Sequence, residues 1–220
     1  MSVIRDPDLD RLLAGLHASS DAQLAAMQNY QADASQKEPS AQEIRTFLSD
    51  KLVALDRDKA EFCYQLCRAG NARRIVEAGT SYGVSTIYLA AAVRDNVQTA
   101  GGAGVVIGTE YEPAKARAAR AHFEQTGLSG FVELREGDLR ETLRQVEGPV
   151  DFMLVDIWIP MARRALELVT PHLRPGAIVV CDNTGKYRHE YADYFAFLEA
   201  NGFRTMTLPF DGGLELSVRC

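Results

Sequence analysis

Five short stretches concentrate the residues able to do chemistry: VEAGTSYGVST at 76–86, TEYE at 109–112, EGDL at 136–139, VDIW at 155–158 and VCDN at 180–183. The first carries Gly79 and Gly83 between Glu77 and Ser85, with Ser81 in the middle. Gly79 can adopt backbone angles closed to other residues, and without a Cβ it lets a ligand lie against the chain. Gly83 allows the same closeness where a helix begins, and the free N–H groups of that helix attract an anion. A dinucleotide pyrophosphate asks for G-x-G-x-x-G. The spacing here is G-x-x-x-G, which suits a small carboxylate, such as that of a methionine moiety, better. A tight strand-to-helix turn with no ligand is the alternative.

Glu110 ends the next apolar run, VVIGTE, with Tyr111 beside it. A carboxylate at a strand end can accept from both hydroxyls of a ribose. It lies 27 residues beyond Gly83, against about 20 in the usual arrangement. An exposed glutamate at a strand end, or a role passed to Glu112, remains open. Asp138, followed by Leu139, could accept from an adenine amino group or cap a helix, and the two roles can coexist. Asp182-Asn183 could equally form a simple turn after a strand.

The elements needed to position these groups follow from the period of the apolar residues. Residues 1 to about 70 read as helical, with stripes at Leu9, Leu12, Leu13, Leu16 and at Ile44, Phe47, Leu48, Leu52. Asp21 and Ser40 are candidate N-caps, 35–40 reads as a loop, and 59–69 as a helix stopped by Gly70. From Arg74 the pattern alternates. Strands are expected at 74–78, 105–110, 131–135, 151–156 and 176–181, and helices at 84–93, 113–126, 139–146, 160–173 and 188–201. Residues 94–104 read as a long surface loop. Such alternation signals right-handed βαβ units around a parallel sheet, and two strand-like runs through Asp211-Gly212-Gly213 close the chain as an antiparallel hairpin. The expectation is a doubly wound α/β domain at 58–220, with 1–57 as an N-terminal helical extension.

Composition narrows the function. Of 220 residues 46% are apolar, enough for one core, and no run approaches the ~18 apolar residues of a membrane span. The charged opening MSVIRDPDLDR has no apolar signal core, so a cytoplasmic protein is expected. The net charge of −6 repels phosphate backbones and makes nucleic acid a poor substrate. Cys63, Cys67, Cys181 and Cys220 lack metal-binding or redox spacing, and Cys63 and Cys67, one helical turn apart, read as small buried apolar groups in a reducing compartment.

Taken in order, E-x-G-x-x-x-G-x-S, T-E-Y-E-P, E-G-D, V-D-F-M-L-V-D and V-C-D-N resemble the class I S-adenosylmethionine-dependent O-methyltransferases, in the cation-dependent group of catechol and caffeoyl-CoA O-methyltransferases. The resemblance covers roughly residues 58–220. It implies a Rossmann-like, seven-stranded sheet, parallel except for one strand of the terminal hairpin, with the N-terminal helices over the acceptor pocket. It implies that Glu77, Gly79, Ser81, Gly83 and Ser85 surround the methionine end of the cofactor, that Glu110 and Tyr111 hold the ribose side, and that Asp138 and Leu139 lie near adenine. Asp156 would approach the methionine ammonium and, with Asp182 and Asn183, take a divalent cation such as Mg²⁺. Two carboxylates and an amide oxygen make a hard oxygen set suited to that ion, which would lower the pKa of a phenol or catechol hydroxyl and align it. Trp158 would flank the acceptor, and a homodimer is implied.

The sequence departs from the resemblance at one point. The metal loop of those enzymes runs D-x-x-K with the lysine as general base, whereas here it is Asp156-Ile157-Trp158-Ile159. Ile159 cannot take a proton. The cation alone could serve, or Lys186, Tyr187 or His189 could substitute. The remaining readings are a metal-independent methyltransferase with another acceptor atom, a nicotinamide-dependent oxidoreductase on a similar sheet, which the missing G-x-G-x-x-G argues against, and a protein that binds the cofactor without turnover.

Overall fold

The computed structural model describes residues 2–37 and 40–220. Its centre is a seven-stranded sheet in the order β3-β2-β1-β4-β5-β7-β6. The strands are β1 (Arg74–Ala78), β2 (Val105–Glu110), β3 (Val132–Glu136), β4 (Val150–Val155), β5 (Leu173–Asp182), β6 (Phe203–Leu208) and β7 (Leu214–Arg219). The ladders from β3 to β5 are parallel, and β7 runs antiparallel to both β5 and β6. Val76, Ile107, Met153 and Val179 line one face and Ile75, Val106, Phe152 and Val180 the other, all buried. Burial on both faces is why these strands read as continuous apolar runs rather than alternating ones.

One helical layer comprises α1 (Pro7–Asp21), α4 (Arg57–Ala69), α5 (Val84–Ala100) and α6 (Pro113–Gln125), and the other comprises α7 (Leu139–Thr142), α8 (Ile159–Val169) and α9 (Ala192–Ala200). Leu9, Leu13 and Leu16 of α1 enter the same apolar cluster as Cys63 and Cys67 of α4 and Tyr88 of α5. The first helix is therefore stitched into the core of the domain. Between them lie α2 (Leu24–Lys37) and α3 (Ala41–Leu48), the latter opened by a capping box in which Ser40 and Glu43 satisfy each other's backbone N–H groups. Among the described residues no helix is long and apolar enough to cross a membrane.

Several expected boundaries moved. Helix α5 runs to Ala100, through most of the expected 94–104 loop, because nothing breaks it before Gly101, which caps it at φ 68°. The buried Asn96 amide fastens that last part by donating to the carbonyls of Cys67 and Ala72. Asp21 ends α1 instead of capping a helix, and the cap of α1 is Asp6. In the expected 35–40 loop, α2 continues to Lys37, while residues 38 and 39 lie outside the described residues. Helix α7 is one turn long, since Leu143 and Val146 satisfy their apolar spacing by burial without further helix. Turns occupy 183–191, so α9 starts four residues later than expected.

Candidate active site

The order of strands reverses between β1 and β4, and open α/β sheets bind ligands at the carboxyl ends of such a pair. The chain leaves β1 through Gly79 at φ 101°. A Cβ there would stand 1.9 Å from the Asp156 carbonyl oxygen. Gly83, at φ 84°, faces the Phe123 ring in the same way, at 2.6 Å. Both glycines were expected to make room for a ligand. The chain's own packing also demands them, since a side chain at either position would collide with the Asp156 carbonyl or the Phe123 ring. Ser81 sits between them in the left-handed region at φ 50°, a conformation that costs a non-glycine residue energy and persists where surroundings hold it.

Glu77 is fully buried and organises this turn. Its carboxylate accepts from Ser85 Oγ at 2.6 Å, from Thr80 Oγ1 at 2.9 Å and from Thr86 Oγ1. Burial raises its pKa, and the three hydroxyls offset part of that rise. The Ser85 hydroxyl is thus committed to Glu77, and Glu77 supports the loop from behind.

Glu110 stands at the end of β2 with its carboxylate held by two backbone amides, Ser81 N–H and Glu112 N–H, both at 2.7 Å. Each oxygen keeps a further lone pair to offer. It lines a cavity of about 310 Å³ together with Gly79, Tyr111, Asp138, Leu139, Ile157 and Trp158. That volume is at the lower end of small-molecule pockets, about 300–1,000 Å³. Asp138 caps α7 by accepting from Arg140 N–H at 2.9 Å, and Arg140 also pairs with it through its side chain. Of the two readings open for Asp138, capping is realised, and its place in the cavity wall leaves it beside any ring bound there. Leu52–Leu55 close the opposite flank, where they meet Gly79–Tyr82 and Asp156.

Asp156 follows β4, and its pKa is pushed well above the carboxylate range, first by burial and then by the charges of Asp182 and Glu77. Asp182, at the end of β5, is 6% exposed. Its Oδ1 lies 2.8 Å from the ammonium of Lys59, which also pairs with Asp56 at 2.7 Å. Its Oδ2 accepts from Asn183 Nδ2 at 2.7 Å. Burial still raises Asp182 despite Lys59. For Lys59 burial pulls the pKa down, but the two carboxylates outweigh it and leave the value raised, so Lys59 stays charged.

This arrangement does not fit a divalent cation. Mg²⁺ takes carboxylate oxygens at about 2.0–2.1 Å, yet a cation at Asp182 would meet the fixed positive charge of Lys59, 2.8 Å from Oδ1, while Oδ2 already accepts from an amide N–H. Asn183 turns its donor, rather than its oxygen, toward Asp182. The expected ligands Asp156, Asp182 and Asn183 do share one end of the sheet, but a tethered positive charge stands among them. No cluster of three or more His, Cys, Asp or Glu side chains with metal-binding geometry occurs among the described residues.

The candidate bases Lys186 and His189 are exposed on the turns after β5, Tyr187 is half-buried there, and the Lys186 ammonium lies 5.2 Å over the Tyr187 ring. The structure does not bring them to Asp156. Ile159 opens α8. Sequence reasoning missed Lys59, although one signal was present. It falls on the stripe of α4 that buries Ala60, Cys63 and Cys67, and a lysine on an apolar stripe must find a partner inside.

Comparison with known proteins agrees with this geometry. Residues 76–184 match the model of a family described as a methyltransferase domain. Over 161 residues the chain is 29% identical to a catechol O-methyltransferase of Niastella koreensis, covering 70% of each chain. It is 32% identical over 132 residues to a catechol O-methyltransferase of Mycobacterium tuberculosis, covering 60% of this chain and 57% of that one. The O-methyltransferase from Bacillus cereus, solved with SAH, superposes with a TM-score of 0.70 over 99% of this chain and 93% of that one at 20% identity, a likeness of fold. The fold is that of the class I methyltransferases. The chain is thus similar to catechol O-methyltransferases over 60–70% of its length and carries a methyltransferase-domain match over residues 76–184.

Proposed function

We propose that this protein transfers the methyl group of S-adenosylmethionine to a hydroxyl oxygen of a small phenolic molecule. The observation that carries the reading is the acidic crevice itself. Asp156, with its pKa raised by burial and by two neighbouring carboxylates, lies beside Gly79, next to a cavity rimmed by Glu110 and Trp158. A ligand bearing a sulfonium and an ammonium relieves that crowding of negative charge. The N-terminus of α5 would receive its carboxylate, Asp156 its ammonium, Glu110 its ribose, and Asp138 with Leu139 its adenine. Trp158 and Tyr111, both largely exposed, supply aromatic faces at the mouth.

The reaction forms an oxygen–carbon bond as the carbon–sulfur bond breaks, and the sulfonium becomes a neutral thioether. The protein's part is alignment and removal of water, for which effective molarities reach about 10⁵ M or more. A divalent cation, implied by the resemblance, would meet the fixed positive charge of Lys59 beside Asp182.

Isothermal calorimetry with S-adenosylhomocysteine, joined to transfer of labelled methyl from S-adenosylmethionine to a panel of phenols and catechols, tests the reading. Binding of the thioether and label on a phenolic oxygen are expected, with Glu110→Ala lowering affinity for the thioether. Absence of both heat and thermal stabilisation would rule the reading out.

A further inference from the structure

The groups that would hold a divalent ion face an ammonium carried on the chain's own helix. Lys59 enters from the first turn of α4 on the face that buries Ala60 and Cys63, and its side chain is 2% exposed. Its Nζ bridges Asp56, at the half-open rim, and Asp182, at the end of β5. The contact with Asp182 is a close ion pair, and Asp182 Oδ1 is buried with no other polar partner among the described residues. A buried, unsatisfied carboxylate oxygen is costly, and such exceptions call for an explanation in function or in a missing partner. Both facts, a buried positive charge and an orphaned oxygen 2.8 Å from it, point to the same ligand: a hydroxyl that donates to Asp182 and accepts from Lys59.

We propose that Lys59 is a built-in cation that takes the place of a divalent ion in this enzyme, receives the acceptor oxygen and makes methyl transfer independent of metal. The inference rests on the methyltransferase reading above and deepens it by naming the acceptor class. A divalent ion has several open positions and chelates two vicinal oxygens. An ammonium has three N–H groups, and here Asp56 and Asp182 face it on two sides. Two carboxylates leave an ammonium at most one N–H to give, enough for one oxygen. The acceptor that fits is a single acidic hydroxyl, a phenol, with no need of a neighbouring hydroxyl. As its proton moves along the hydrogen bond to Asp182, and on to bulk water once the product leaves, the ammonium balances the charge left on oxygen. The oxygen then bonds to the methyl carbon, the carbon–sulfur bond breaks, and the pair of electrons stays on sulfur. A fixed charge aimed at a developing oxyanion in a dry site acts as a preorganised donor does, and removing such a donor costs about 10²–10³ in kcat.

The experiment joins four measurements on the full-length protein. Paramagnetic resonance of Mn²⁺ titrated with wild type is expected to show the free-ion signal undiminished. Labelled methyl transfer to 4-nitrophenol and to catechol should be unchanged by excess EDTA, with the monophenol used at least as well as the diol. Lys59→Met should lose about 10²-fold or more in kcat, and Lys59→Arg should recover part of it. Calorimetry should show the same affinity for S-adenosylhomocysteine in all three proteins. Strong Mn²⁺ binding by wild type, a rate abolished by EDTA, full activity of Lys59→Met, or methylation of neither phenol while the thioether binds would each overturn the proposal. If Lys59→Met does not fold, the wild-type resonance and EDTA results decide. If the thioether binds to none of the proteins, the underlying cofactor reading has failed instead.

Discussion

Asp156 shows how this site sets stability against function. Its folded pKa lies well above the usual carboxylate value because of burial and of Asp182 and Glu77. A carboxyl raised in this way stabilises the fold below its unfolded value, and that contribution disappears as pH rises through the folded value. Asp156→Asn carries no charge at any pH. It is expected to melt higher than wild type in alkaline buffer, by roughly 2–4 °C for each kcal/mol of repulsion relieved. The gain should shrink as pH falls toward the ordinary carboxylate range, which scanning fluorimetry at several pH values will show. The same variant should bind S-adenosylhomocysteine about tenfold or more weakly in calorimetry, since an ammonium would favour the ionised form of Asp156, which an amide cannot adopt. An unchanged affinity would remove Asp156 from the cofactor site. Gly79→Ala acts on backbone instead. Its Cβ would meet the Asp156 carbonyl at 1.9 Å in a left-handed conformation, so urea unfolding should report a loss of about 3 kcal/mol or more, with cofactor binding lost alongside.

At the scale of elements, the length of α5 is the feature most open to test. Asn96 holds the far end of that helix to the α4–β1 connection by donating to Cys67 and Ala72, while Arg68 donates to its Oδ1. Alanine there leaves two buried carbonyls short of a donor and is expected to cost about 2–3 kcal/mol. The effect belongs to packing, and the KM for S-adenosylmethionine should stay at its wild-type value. A shifted KM would mean that the end of α5 communicates with its start. The apolar periods in 105–110 and 113–126 were legible because strand and helix there are bounded by glycine, proline and charge. The 94–104 stretch was misread because an internal polar residue such as Asn96 resembles a loop signal unless its buried partners are known.

For the whole molecule, ligand binding and folding are linked. A thioether at about 100 times its Kd adds roughly 2.7 kcal/mol of stability, worth about 5–11 °C for a domain of this size. The protein's one tryptophan, Trp158, is 41% exposed and lines the cavity, so its fluorescence should change during the same titration. A thermal shift without a fluorescence change would place the ligand elsewhere than beside Trp158.

The sequence by itself determined the alternation of strands and helices, the terminal hairpin, and the glycine turn with Glu77, Glu110, Asp138 and Asp156 at strand ends, because hydrophobic period and chain reversal are local properties. The resemblance of the ordered motifs added the strand count and the cofactor. What only the tertiary structure decided was which groups share space across distant segments. Gly79 is dictated by the carbonyl of Asp156, Ser85 is spent on Glu77, and Lys59 meets Asp182 across 123 positions of chain at 2.8 Å. Such meetings depend on how α4 packs beside α5 and brings its first turn to the end of β5, a packing outcome with no period or spacing to announce it. The charge that occupies the heart of the site therefore stayed hidden until the fold brought it there.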